Sequence, residues 1–260
     1  MLFRPSFDRI EVSISRKDIP MLETVFLGAM SACSSLLQSV TGFGFAIVMM
    51  AIMPLFLSME HALAISTILS AILNAVILRR CWRDINLKQL WLPVCFCLCG
   101  STFGTFLMAT SPSPIYKRLL GVFLILLAIW LYFFSDRVRI KPSLTSAGIA
   151  GLVSGLCGGL FSVNGPPMVL YFISVLEDKK EYLATIQCYF LINNIYLLTI
   201  RAIGGLLPSG IAISALWGLG GLLIGSFLGG KVFDKLDGSR LKSFVYIFMA
   251  LSGAWIAFNG

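Results

Sequence analysis

Apolar residues run through this chain in long blocks, not in the alternation of a half-buried strand or the one-sided spacing of a surface helix. The blocks cover residues 21–56, 62–78, 89–109 and 117–134, then 146–176, 182–200, 208–230 and 240–258. A helix needs about 20 apolar residues to cross a bilayer, so the pattern predicts an all-α polytopic membrane protein with about 8 transmembrane helices. Each half runs long, short, medium, medium, which divides the chain into homologous transmembrane repeats at 21–135 and 146–260. Residues 1–20 read as an interfacial N-terminal segment, and 136–145 as the inter-repeat loop.

The first block of each half is over-long and carries a helix-breaking cluster in its middle. The clusters are Thr41-Gly42-Phe43-Gly44 and Ser162-Val163-Asn164-Gly165-Pro166-Pro167. Backbone can open at membrane depth only against protein or a water-filled cavity. Two matching interruptions in the halves of a membrane protein are the best sequence pointer to a transporter's substrate site. Asn164 suits an N-cap and prolines suit a first turn, so helices are expected to restart after Thr41 and after Asn164. Their positive ends would hold an anion without a buried arginine. Pro166 and Pro167 lack N–H groups. The first interruption, with the amides of Phe43, Gly44 and Phe45, is therefore expected to give more main-chain contacts, and the second to give the side chains of Ser162 and Asn164.

The halves share letters as well as hydropathy. Gly28, Ser31, Ser39, Val40 and Gly42 match Gly151, Ser154, Ser162, Val163 and Gly165 at a constant offset of 162 − 39 = 123. Gly100 and Gly104 match Gly221 and Gly225, and Arg118, Leu119 and Ala128 match Arg240, Leu241 and Ala250. An ordered series of this kind points to duplication. The hand of the repeat stays open. Eight crossings place 1–20, 79–88 and 135–142 inside but leave Lys231, Lys235, Arg240 and Lys242 outside, against the preference for basic cytoplasmic loops. A re-entrant second block would move that last loop inside.

Composition narrows the class further. The chain is 58% hydrophobic and 12% charged, with a mean hydropathy of +0.90, whereas soluble domains carry about 25% charged residues. The net charge of 20 − 12 = +8 is read as basic loops on an integral protein, and no basic-aromatic cluster argues for nucleic acid. No apolar core of signal-peptide length occurs in residues 1–20, so an uncleaved first span is expected. The cysteines (33, 81, 95, 97, 99, 157 and 188) include no Cys-x-x-Cys, and the one histidine, His61, follows Glu60 at an expected loop. Small buried thiols are expected rather than a metal site or disulfides. With no buried acid–base pair or metal motif, an intramembrane enzyme is not expected, and no cofactor is implied. A channel is disfavoured too, because no continuous polar stripe is present.

Glycines at four-residue spacing, Gly151, Gly155 and Gly159 and then Gly221, Gly225 and Gly229, read as helix packing inside one subunit. Trp82, Trp91, Trp130 and Trp255 fall near block ends, as interfacial anchors do. Polar residues inside the blocks are Ser34, Ser35, Gln38, Asn74, Gln187, Asn193 and Asn194, with Tyr171 one turn beyond the second interruption. The candidate substrate-binding set is Gln38, Ser39, Thr41, Gly42, Phe43, Gly44, Asn74, Ser162, Asn164, Gly165, Pro166, Pro167, Tyr171, Asn193 and Asn194. Asn74 and the Asn193/Asn194 pair are read equally as cavity lining or as helix-to-helix bonds. Arg79, Arg80 and Arg201, at block ends, are expected to snorkel to the interface. No Asp or Glu falls well inside a block, so coupling would need a substrate-borne H+, carbonyl-bound Na+ or counter-exchange; uniport is the alternative.

The Gly-Phe-Gly interruption and the run Gly158 to Pro167 (Gly-Gly-Leu-Phe-Ser-Val-Asn-Gly-Pro-Pro) resemble the TauE/SafE sulfite exporter family of membrane permeases, over roughly residues 20–258. The resemblance implies movement of small sulfur-containing anions, and in some members other small organic acids, across the cytoplasmic (inner) membrane. The expected function is a multi-pass secondary transporter of sulfite, sulfonate or related anions, acting by alternating access. A transporter of carboxylates or amino acids is the rival. The expected partners are the small anion, the lipid bilayer and a coupling ion, and a homo-oligomer is allowed.

Overall fold

Blocks without a helix-breaking cluster run as single helices, and the two blocks with one stop there. The computed structural model describes residues 19–110, 113–134, 140–208, 210–232 and 238–259. Its first half holds α1 (Ile19–Thr41), α2 (Phe45–Ile52), α3 (Met59–Cys81), α4 (Leu87–Thr110) and α5 (Ser113–Phe134). The second holds α6 (Leu144–Phe161), α7 (Gly165–Val175), α8 (Lys179–Ile203), α9 (Ile211–Val232) and α10 (Gly238–Asn259). Short 3-10 turns follow α2 and α3, and no strand occurs among the described residues.

Five stretches among the described residues are long and apolar enough to cross a membrane: Met59–Asp84, Leu87–Thr110, Ile115–Phe133, Leu144–Phe161 and Lys179–Ile203. The other long helices, α1, α9 and α10, run for 23, 22 and 22 residues, with described apolar stretches at Val25–Ser39, Ala215–Gly229 and Tyr246–Phe258.

Local capping chemistry moves several expected boundaries. Glu60 and His61 lie in the first turn of α3, not in a loop, because Ser58 caps that helix and accepts from the His61 amide. Asp178 likewise caps α8 by accepting from the amides of Lys180 and Glu181, so that helix starts at Lys179, ahead of the apolar block at 182–200. Ser143 caps α6 through a reciprocal bond with Ser146, ending the inter-repeat loop early. Ile19 and Pro20, expected in the interfacial segment, are helical, while its residues 1–18 lie outside the described residues, as do Arg137, Arg139, Lys235 and Asp237.

The closest helix pairs are α4 with α6, α1 with α9, α5 with α10 and α3 with α8. Exchanging the halves leaves this list unchanged, since α1 stands to α9 as α6 stands to α4. Glycine makes these approaches feasible. A methyl group on Gly155 would collide with the Cys97 carbonyl, and one on Gly159 would fall 2.5 Å from the Ser101 carbonyl. On the other pair, Gly221 and Gly225 would strike the carbonyls of Gly28 and Ala32. The glycine stripes therefore pack helices within the subunit, as their spacing implies. The outward surface is apolar, with Trp91, Phe106, Ile224 and Trp255 each more than half exposed. Three cysteines join that surface: Cys33, Cys95 and Cys99 are exposed rather than buried, while Cys97 between them faces inward. Helical geometry turns alternate residues to different faces.

Around the interruptions the helix boundaries repeat at one spacing: 161 − 41 = 120 for the ends of α1 and α6, 165 − 45 = 120 for the starts of α2 and α7, and 179 − 59 = 120 for the starts of α3 and α8. The letters shared around the interruptions gave 123. The difference of 123 − 120 = 3 residues is close to one helical turn of about 3.6, so small residues recurring on one face match letters in either register. The geometric register equates Gly42 with Ser162, Gly44 with Asn164, and Asn74 with Asn194.

The packing sets a test. Gly155→Leu and Gly225→Leu should each lower stability by about 1–3 kcal/mol or more through overpacking. Gly220→Ala, whose new methyl would meet nothing within 4 Å, should melt like the unaltered protein in detergent. Equal melting of all three would mean that the stripes do not set the helix spacing.

Candidate functional site

The two interruptions meet. Phe43 and Gly44 from the first and Val163, Asn164 and Gly165 from the second line one buried chamber, joined by Gln38, Ser70, Asn74, Phe190 and Asn194. Its volume is about 20 Å³, which is room for one water.

Each interruption closes in the same way. The last turn of α1 ends with the Gly42 amide donating to the Gln38 carbonyl, and that of α6 with the Ser162 amide donating to the Gly158 carbonyl. Gly42 (φ 81°) and Ser162 (φ 57°) are both left-handed. Glycine takes that conformation without strain, whereas serine needs support. Ser162 has it: its hydroxyl lies 2.9 Å from that of Thr67 on α3. Across the bundle, Gln187 on α8 donates to the Gly42 carbonyl at 2.8 Å. Thr67 and Gln187 are themselves separated by 187 − 67 = 120 residues, so each half braces the other half's interruption from an equivalent position.

The first restarted helix is largely self-satisfied. It begins at Phe45, after Gly44 at φ 112°, and not directly after Thr41 as expected. The two glycines allow three further non-helical residues before the chain re-enters helix. The Phe45 amide donates to Gln38 Oε1 at 3.2 Å, and the Phe43 amide faces Thr41 Oγ1 at 3.4 Å. Two of the three amides expected to face a ligand thus have protein acceptors. The second helix does restart after Asn164, but the Asn164 side chain makes no capping bond. Its Nδ2 is buried without a partner, as is the Ser70 hydroxyl, and both residues line the chamber.

The remaining expected residues divide by place. Gln38 donates to Asn74 Oδ1 at 2.6 Å, which makes Asn74 both chamber lining and a helix-to-helix bond. Asn194 lines the chamber, whereas Asn193 turns to α4 and accepts from Ser101 at 2.6 Å. Ser39 faces Ser226 on α9, and the Thr41 hydroxyl bonds its own chain at Leu37 or Phe43. Tyr171 donates to Gln89 at 3.2 Å, away from the chamber. Pro166 and Pro167 line an apolar groove of about 790 Å³ between α5 and α6 instead. Among the described residues no group of His, Cys, Asp or Glu is placed to hold a metal.

Sequence reading missed Arg201. Arg79 and Arg80 are exposed as expected, but Arg201 is 1% exposed. Its Nη1 donates to Thr67 Oγ1 and Ser162 Oγ at 2.9 and 3.0 Å, and its Nη2 to the carbonyls of Gly159 and Gly158 at 3.0 and 3.4 Å. Snorkelling fails here for a geometric reason. Side chains lean toward the N-terminus of their helix, so a cation in the last turn of α8 leans back into the bundle. The last-turn carbonyls and negative dipole end of α6 receive it there. The available signal was an arginine at a helix C-terminus facing a helix that stops early.

Gln187→Met keeps volume but removes the donor to the buried Gly42 carbonyl, and it should cost about 1–3 kcal/mol. Thr199→Val removes an exposed hydroxyl bonded only to its own helix and should be near neutral. Thermal melts of both variants in detergent check the contrast.

A family search matches residues 27–256 to the family described as Sulfite exporter TauE/SafE. Searches of curated proteins and of solved structures return no match. The match covers most of the chain, agrees with its apolar helices in indicating an integral multi-pass membrane protein, and belongs to transporters rather than enzymes. The chain belongs to the TauE/SafE sulfite exporter family.

Proposed function

We propose that the chain is a secondary transporter of the cytoplasmic membrane that moves small sulfur-containing anions, sulfite or sulfonate, by alternating access. The substrate is held where the two interrupted helices meet. One observation carries the site: the buried chamber shared by both interruptions presents the unpartnered Asn164 amide and Ser70 hydroxyl. A buried donor without an acceptor is costly, and an oxyanion entering the chamber would supply that acceptor. The chamber holds about one water, so this conformation is closed at its centre, and substrate access requires the helices to move. The reading includes a duplicated bundle, supported by the helix pairs that survive exchange of the halves and by the common spacing of 120.

No carboxylate lines the chamber, so coupling falls to a substrate-borne H+, carbonyl-bound Na+ or counter-exchange. The lining donors are neutral amides and a hydroxyl, which suit a carboxylate as well as a sulfonate. A transporter of small carboxylates is therefore the second reading.

A thermal-shift series on the purified protein separates the two readings, since a ligand that binds the native state raises its melting temperature by mass action. Sulfite, taurine and other sulfonates should stabilise it, with the shift reduced in Asn164→Ala and in Ser70→Ala. Stabilisation by matched carboxylates alone would replace the sulfur assignment with the second reading. Full retention of the shift in both variants would remove the chamber as the site.

A further inference from the structure

A second cavity, of about 290 Å³, opens beside the N-terminal turns of α3 and the C-terminal end of α8. Among the described residues Arg201 is the only Lys or Arg on its wall; Glu60, His61, Ala64, Met108 and Leu207 contribute to the rest. We propose that this vestibule is a small-oxyanion site, separate from the central chamber, with the Arg201 guanidinium as its cation.

A guanidinium carries five N–H groups. Four bonds run from its Nη atoms to two hydroxyls and two carbonyls, all neutral. The fifth donor, Nε, is buried with no partner. Among the described residues Arg201 has no ion pair. Glu60, the one acid on the vestibule wall, is exposed and sits in the first turn of α3, where it complements that helix's positive end. A buried cation without a counter-charge carries a large desolvation cost, and ionisable groups inside a membrane bundle mark ion pathways. A bound oxyanion supplies both what Nε lacks and what the charge lacks.

Position strengthens the case. Thr67, which Arg201 touches, is 67 − 59 = 8 residues into α3, or about 12 Å from its start at 1.5 Å per residue. The charge thus lies inside the bundle at the vestibule's base. Ser162, its other hydroxyl partner, is next in sequence to Val163 and Asn164 of the central chamber. An anion at Arg201 is therefore adjacent to the second interruption. At a spacing of 120 the counterpart of Arg201 is Cys81, and the last-turn arginines of α3, Arg79 and Arg80, are exposed, so of these three only Arg201 is buried.

The inference draws on the reading of the chain as an anion transporter, and the test separates the two. Sulfite and acetate are titrated calorimetrically into the purified full chain, its Asn164→Asp variant, and that variant carrying Leu207→Glu or Leu207→Gln. Asn164→Asp places a carboxylate in the central chamber and should leave one anion site. Adding Leu207→Glu, a tethered competitor for Arg201, should weaken that site by roughly tenfold or more, while Leu207→Gln should leave it within about twofold. Like effects of Glu and Gln, or no binding of either anion to Asn164→Asp, overturn the vestibule. If Asn164→Asp binds as the unaltered chain does, and Leu207→Glu still weakens binding, the vestibule stands and the central site falls. In the Asn164→Asp background, Arg201→Lys should retain weakened binding and Arg201→Met none; full binding in a folded Asn164→Asp/Arg201→Met variant also overturns the proposal.

Discussion

A helix that stops inside an apolar bundle releases amides and carbonyls with no water to receive them. Everything at the centre of this molecule answers that constraint. Gln187 reaches across to the carbonyl of Gly42, and Gln38 holds the amide of Phe45. Arg201 binds the carbonyl end of α6, and Ser154 and Tyr189 form a chain to the Asn164 carbonyl. These side chains come from α1, α6 and α8, so an interruption in one element is stable only within the assembled bundle. The few donors left over are then the groups with capacity for a ligand.

Close helix packing is the complementary requirement. Polar side chains are short, and they bridge two helices only if the backbones approach nearly to contact. The glycines of α4, α6 and α9 provide that approach. Where Ser101 lies against Gly155, its hydroxyl reaches both a carbonyl of α6 and Asn193 of α8. Small residues and hydrogen bonds are thus parts of one arrangement, with the first setting distances at which the second can form.

Much of this was legible in the sequence. Apolar blocks, the two interruptions and the glycine stripes are local patterns, and local patterns survive into structure. Gln38, Asn74, Asn164 and Asn194 were identifiable as polar residues in apolar surroundings, and all four reach the chamber. Hydropathy does not say which way a helix faces, and there the reading diverged. Asn193 and Asn194 are neighbours in sequence but point to different partners. Tyr171 was within reach of the second interruption and turned to Gln89 instead. Arg201 was misjudged because its acceptors lie on α3 and α6, which only tertiary packing brings alongside the end of α8.

The spacing of 120 residues relates the backbones of the two halves, yet it pairs a guanidinium at position 201 with a thiol at position 81. The scaffold is even-handed and its electric field is not. Exchanging the halves keeps the same list of closest helix pairs but carries the buried positive charge from α8 to α3. An ion crossing this bundle therefore meets an unequal energy profile in its two halves, and that inequality is written into the chain before any gradient or voltage is applied.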